Sequence, residues 1–292
     1  MVNPLDLRGP DFLAFYACIA LLVLAALYIV RSSIEGGPAP RLDTSDPYLI
    51  AYLRGGTFET LRVATVALID RGLLKADEDE GTIKRKRGVP SLRLPLEQAL
   101  VDFFARERPA TDIFDDVDLR DACEDYETRL TALKLLPNAE QRAGRRQLLT
   151  YALVVLIGLG AVKFVVALSR GRTNVFFLIV FTAAASYAAI KLARPFRTAR
   201  GNAMLADLRR LFALLKYRGE RIRKGRGDAD AALLAAVFGL AALPQPAFAF
   251  AKTLYPRTSS GSSGDGCGSS CGSGCGGGGC GGGCGGCGGG GD

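Results

Sequence analysis

The residues best able to do chemistry lie near the C-terminus. Cys267, Cys271, Cys275, Cys280, Cys284 and Cys287 carry six of the eight thiols in the 292-residue chain. Thiolates select soft ions such as zinc or Cu(I), and a flexible chain can wrap one. The spacing counts against a built site. Only Cys284-Gly-Gly-Cys287 is a close pair, whereas a structural zinc site takes two such pairs on a folded scaffold. The intervening residues are mostly Gly and Ser, which bury no core and make ordering costly. Residues 258–292 therefore read as a disordered, low-complexity tail. Three roles stay open for it: no fixed site, zinc or Cu(I) binding by the six thiols, or crosslinking and covalent modification.

Little else in the chain points to catalysis. There is no His, which removes the commonest general base and metal ligand. Asp115, Asp116, Asp118 and Asp121 form an acidic cluster. Nothing around them would fix a divalent ion, so a solvated helix start is the simpler reading. Cys18 and Cys123 fall in apolar settings and read as small apolar fillers. A non-enzymatic protein is expected.

The elements that carry these residues are set by apolar runs. Phe12–Val30, Leu148–Leu168 and Val175–Ala193 are each long enough to cross a bilayer as a helix. The lead before Phe12 holds Asp6 and Asp11 against Arg8. It lacks a basic n-region, so the first run reads as a retained anchor rather than a signal peptide. Lys163 lies about two turns from the end of the second run and is expected to snorkel outward. The second and third runs form a hairpin joined by the polar residues 169–174.

Between the first run and the hairpin lies a soluble segment, residues 31–147. Gly36–Pro47 is a linker. Asp46-Pro47 starts a short helix, Tyr48–Leu53, which Gly55-Gly56 ends. Thr57 begins a second helix with Phe58, Leu61, Ala64 and Leu68 on one face, and Gly72 closes it. A hairpin then turns at Asp77–Gly81. Two helices followed by a hairpin outline a winged helix-turn-helix. Further helical stripes follow at Leu96, Leu100 and Phe103–Phe104, and at Leu119, Cys123, Tyr126, Leu130 and Leu133. The ends of the two helical units, Val66–Leu74 and Leu130–Pro137, are alike, which raises an internal repeat as one option. The expected fold class is thus mainly α: a multi-pass membrane protein with a winged-helix-like domain and a disordered tail.

Charge placement sets an expected topology. The net charge is +8, yet residues 31–147 carry 19 Lys/Arg against 21 Asp/Glu, and residues 191–226 carry 12 against 2. The surplus sits beside an apolar run, where a cytoplasmic flank would be. Arg142, Arg145 and Arg146 flank the hairpin on one side, and Lys191, Arg194, Arg197 and Arg200 on the other. The expectation is an external N-terminus with residues 31–147 and the C-terminal region in the cytoplasm. Gly201–Arg218 reads as a basic amphipathic helix with Met204, Leu208, Leu211 and Leu215 as its stripe, lying on the inner leaflet or on the domain. Ala231–Ala251 is uncharged but broken by Pro244 and Pro246. It reads as a buried or interfacial helix over Ala231–Leu243 rather than a span.

The opening Asn3-Pro4-Leu5-Asp6 and Gly9–Leu13, the motif Pro47–Gly56, the motif Ala67–Leu74 and the Gly/Cys tail together resemble a family of uncharacterised bacterial membrane proteins. That family is defined by a conserved domain of unknown function with a Gly/Cys-rich end. The resemblance implies a location in the bacterial cell membrane and no activity. The expected partners are the lipid bilayer and an unidentified protein bound by the helical domain. One alternative is thiol or soft-metal handling by the tail. Another is a tethered DNA-binding regulator with Lys84–Arg87 as its wing tip. A domain summing to −2 neutralises phosphates poorly, so nucleic acid is not the favoured partner.

Overall fold

In the computed structural model of the chain, residues 9–37, 40, 45–169, 176–214, 229–245 and 247–256 are described. The Cys tail, the residues joining the hairpin and the stretch from Leu215 to Asp228 lie outside them, so the expectations for these segments are not addressed. The protein is mainly helical and has two apolar cores.

Three helices build the first core: α1 (Gly9–Glu35) and the hairpin helices 139–169 and 176–193, which are α6 and α7 in chain order. All three are long and apolar enough to cross a membrane. Their inward faces pack Phe12, Tyr16, Ala20, Leu27, Leu149, Leu156, Ala185 and Ala189. Their outward faces leave Leu21, Leu22, Val154, Val165, Phe176 and Phe177 exposed, an apolar exterior that suits a bilayer better than water. Gly160 lets α6 and α7 approach closely, since a Cβ there would stand 2.8 Å from Thr182 Oγ1. The Tyr16 hydroxyl donates to the Leu156 carbonyl at 3.1 Å.

Two expectations for this region are revised. The helices overrun the apolar runs, since α1 continues through Arg31 to Glu35 and α6 begins at Ala139. Polar ends prolong them because α6 opens on a reciprocal cap. Asn138 Oδ1 accepts from the Gln141 N–H, and Gln141 Oε1 accepts from the Asn138 N–H, a capping-box arrangement. Lys163 reaches toward the first turn of α1 but is covered by it rather than open to the surface. It is buried, with its ammonium 4.4 Å from the centre of the Phe12 ring, because α1 covers the face from which it projects.

The second core belongs to the helical domain. Helix α2 (Pro47–Asp70) is capped by Asp46, whose carboxylate accepts from the Tyr48 N–H. It bends where Gly55 and Gly56 leave helical geometry, Gly56 at φ +71. Strands β1 (Leu74–Asp77) and β2 (Thr82–Arg85) pair antiparallel, and the two-residue β3 (Arg108–Pro109) adds to β2. Helices α3 (Pro95–Phe103), α4 (Val117–Asp121) and α5 (Glu124–Ala132) follow. Leu119, Cys123, Tyr126 and Leu130 are buried across α4 and α5, while Leu133 is only partly so.

After the bundle the chain returns to this domain. Helix α8 (Ala199–Leu211) is capped by Thr198 and buries Gly201, Met204, Leu205 and Leu208. The expected stripe is therefore out of phase at its end: Leu211 is exposed, because the face toward the domain runs through Gly201 and Leu205. Helix α9 (Ala229–Phe238) packs on α2 and buries Ala231, Leu234, Ala235, Ala236 and Val237. It stops short of Leu243 because Gly239 turns the backbone at φ +93, and a 3-10 turn, Leu240–Ala242, follows. Helix α10 (Ala249–Leu254) completes the core with Phe250, Ala251 and Leu254.

The ends of α2 and α5 share one geometry. The Leu73 N–H donates to Leu68 O and the Gly72 N–H to Ile69 O. In the same way the Leu135 N–H donates to Leu130 O and the Lys134 N–H to Thr131 O. Gly72 and Lys134 supply the left-handed residue, at φ +75 and φ +58. Beyond these ends the two segments part, one into the β1–β2 hairpin and the other through Pro137 into α6.

Gly201 lets α8 pack closely on the loop after α5, because a Cβ there would meet the Leu135 carbonyl oxygen at 2.3 Å. Neither backbone can yield without losing the Thr198 bonds to Leu135. Gly201→Ala is expected to lower stability by about 2 kcal/mol. Gly144→Ala, with nothing near its Cβ, should be neutral or slightly stabilising. Thermal melts of the detergent-purified protein check both.

Candidate functional site

One end of the bundle carries the densest arrangement of charged groups. Glu35 closes α1, and its side chain is almost wholly buried. Arg31, one turn earlier, donates from Nε to Glu35 Oε2 at 3.1 Å and from Nη1 to the Leu192 carbonyl at 3.2 Å. Arg145, on the first turns of α6, donates from Nε to Glu35 Oε1 at 2.6 Å. It also reaches the carbonyls of Pro195 at 2.7 Å and Arg197 at 3.4 Å. One carboxylate and two guanidiniums thus join α1, α6 and the exit from α7.

A second cluster ties the domain to the same end. Glu127 of α5 accepts from the Tyr52 hydroxyl at 2.8 Å and from Arg142 Nη2 at 2.6 Å. Hydrogen bonding from Arg142 holds the Glu127 carboxyl below its ordinary range, and the Tyr52 bond acts the same way against the opposing effect of burial. Arg197 donates to the carbonyls of Leu53 and Arg54 at 3.2 and 2.7 Å. Thr198 Oγ1 lies 2.9 Å from the carbonyls of Lys134 and Leu135 and accepts from the Gly201 N–H.

Between these clusters lies a cavity of about 520 Å³. Arg142, Arg145, Arg146 and Arg194 line it, with Glu127 as the one acid among its lining residues and an apolar wall that includes Leu136, Pro195 and Phe196. Its charge and shape suit an anionic ligand rather than an acid–base reaction.

The groups singled out from sequence fare differently. The six tail cysteines lie outside the described residues. Among the described residues no group of three or more His, Cys, Asp or Glu is placed to hold a metal ion. Within the acidic group Asp116 caps α4, accepting from the Leu119 N–H at 3.0 Å. Cys123 is buried, and desolvation pushes its thiol up to about 12, so it is protonated at neutral pH and a poor nucleophile. Cys18 faces outward from the bundle and is no core filler. In the basic hairpin, Lys84 pairs with Glu107 at 3.4 Å and Arg85 with Asp102 at 3.3 Å, which lessens the positive field offered to a phosphate backbone.

A partly buried cluster unforeseen in the sequence joins elements of the domain. Glu97 accepts from the Tyr48 hydroxyl and from Arg71 Nη1, each at 2.6 Å. Burial, then the neighbouring Glu97 charge, raises the Tyr48 phenol well above its ordinary value. The trio joins both ends of α2 to α3. The helical periodicity of Leu96 and Leu100 places Glu97 beside the core, which is the only sequence signal for it.

Two outcomes follow from these clusters. Glu35→Gln removes the charge that two largely buried guanidiniums face, and stability should fall by about 3 kcal/mol, read as a lower melting temperature of the purified protein. Glu127 has a lowered pKa in the fold, so its contribution is complete above its ordinary value of 4.5 and drains away as pH falls through the lowered one. The stability gap between wild type and Glu127→Gln should therefore be widest at neutral pH and close on acidification, as pH-dependent melts would record.

No protein-family model, curated protein or solved structure matches the chain.

Proposed function

We propose that the chain is a non-enzymatic, three-span membrane protein whose winged-helix-like domain is a docking platform for another protein on the cytoplasmic side. The observation that carries this reading is the direct attachment of the domain to the bundle. Arg145 and Glu35 lock the helices together, while Arg142–Glu127 and Arg197–Leu53/Arg54 fasten the domain to them. A domain held by charge-assisted hydrogen bonds presents its surface at a fixed height and angle. That suits a platform better than a tethered module that searches.

Orientation is supported by charge. Arg142, Arg145, Arg146 and Arg194 gather at the domain end of the bundle, and positive residues favour the cytoplasmic side of spans. On the domain, Phe58 stays half exposed with its ring centroid 5.3 Å from that of Phe114. Val117 is exposed as well, amid the carboxylates of Asp115, Asp116 and Asp118. Apolar anchors among charged residues are what a protein-docking surface requires.

Single-cysteine labelling in intact cells tests the topology. In a variant otherwise free of Cys, Ser169→Cys at the far end of the bundle should react with a membrane-impermeant maleimide. Ser91→Cys on the domain should react only after permeabilisation. The reverse pattern overturns the orientation. A photo-crosslinking residue at Phe58 or Val117 should give a discrete protein adduct in cells, and no adduct at either position removes the docking role.

A further inference from the structure

We infer that the cavity at the domain end of the bundle is a binding site for the phosphoryl headgroup of an anionic phospholipid. The inference rests on the proposal that α1, α6 and α7 span a bilayer. Its starting point is how the arginines around the cavity are used. Arg145 is held by Glu35 and two carbonyls, and Arg142 by Glu127 and the Pro137 carbonyl. Arg146 and Arg194 line the same cavity. Among the described residues neither guanidinium makes a hydrogen bond or an ion pair, and both residues are exposed. Two guanidiniums without a counter-charge thus face one concavity whose other cations are already matched.

Depth identifies the ligand class. Arg146 precedes Leu148, the start of the apolar run, by two residues, or about 3 Å of helix rise. Arg194 directly follows Ala193, the end of α7. In a bilayer whose hydrocarbon core is about 30 Å thick, both lie just outside the core, where lipid phosphates sit. The rest of the wall, Leu136, Ala193, Pro195 and Phe196, suits a glycerol backbone and the first methylenes of an acyl chain. Planar guanidinium forks bind phosphate oxygens in pairs, and basic pockets at span ends are where anionic headgroups bind. A cavity of about 520 Å³ is within the usual range for small-molecule sites.

The side chains of Arg146 and Arg194 serve no other bond among the described residues, so replacing them should spare the fold. The test is native mass spectrometry of the full-length detergent-purified protein, given equal amounts of phosphatidylglycerol and phosphatidylcholine with identical acyl chains. The wild type should retain phosphatidylglycerol in preference. Arg146→Gln/Arg194→Gln should cut that preference on the order of tenfold, and Arg194→Gln alone should cut it partway. The exposed pair Arg87→Gln/Arg106→Gln, with the same loss of charge on the domain surface, should leave it intact. Lack of preference in the wild type, an equal loss in both double variants, or an unchanged preference in Arg146→Gln/Arg194→Gln would each overturn the site. Displacement of the lipid by low-millimolar inorganic phosphate would reassign the cavity to a soluble phosphoryl ligand. Alkaline carbonate washing of membranes separates the two levels. Release of the protein sinks the span reading itself, whereas retention without lipid preference sinks the headgroup site alone.

Discussion

The rest of the structure depends on the carboxylate of Glu35. It stands at the C-terminal end of α1, where the helix dipole disfavours a negative charge and burial disfavours any charge. Arg31 and Arg145 offset both penalties by bonding its two oxygens separately. The same guanidiniums then reach the carbonyls of Leu192 and Pro195 at the end of α7, groups that a helix end leaves without intrahelical partners. One charged centre thus serves the ends of all three long helices. Remove the acid and two cations face each other in a sparsely hydrated crevice; remove Arg145 and the carbonyls beyond α7 lose their donors.

The same economy recurs through the domain. At the bend in α2 the carbonyls of Leu53 and Arg54 lose their place in a regular helix, and Arg197 supplies both with a donor. Arg54 in turn donates from Nε to the carbonyl of Ala236 near the end of α9, and its Nη2 pairs with Glu59. Arg120 bonds the Phe114 carbonyl, and Arg142 that of Pro137. Arginine suits this use because its fork can serve a carboxylate and a carbonyl together while always charged. After α7, Arg197 and Arg200 are used in this way, on the carbonyls of Arg54 and Gly36. Arg146 and Arg194 are notable because this bonding does not include them.

What the sequence disclosed followed from local rules. Gly55-Gly56, Gly72, Asp46-Pro47 and the turn at Asp77–Gly81 each mark a break or cap that backbone sterics demand, and the structure has a feature at each. Apolar runs long enough to cross a bilayer are similarly hard to disguise. Long-range pairings were not legible. Glu35 and Arg145 are 110 residues apart and Tyr48 and Glu97 are 49 apart, and no periodicity links them. Lys163 and Leu211 were misjudged for a related reason. Each lies on an amphipathic or apolar helix whose spacing shows a face but not which neighbour covers it. The candidate cavity was hidden in the same way: its arginines were plain as flanking charges, but their partners decide which of them are free.

The alike ends of α2 and α5 show why the joint between domain and bundle is stiff. A left-handed Gly72 costs nothing sterically, whereas Lys134 at φ +58 pays roughly 1–2 kcal/mol for its Cβ. A residue stays in that conformation only when its surroundings over-determine it. Here they do. The Lys134 N–H donates to Thr131 O, and its own carbonyl and that of Leu135 both meet Thr198, which also caps α8. Three residues after Lys134, Pro137 and then the capping Asn138 lead into α6. The turn that launches the long helix is therefore pinned by the segment that returns from the bundle. Leaving and re-entering the domain are a single contact, and tilting the domain on the bundle would break several bonds at Thr198 together. A hinge would need the opposite: a free glycine, few bonds and a carbonyl left to water.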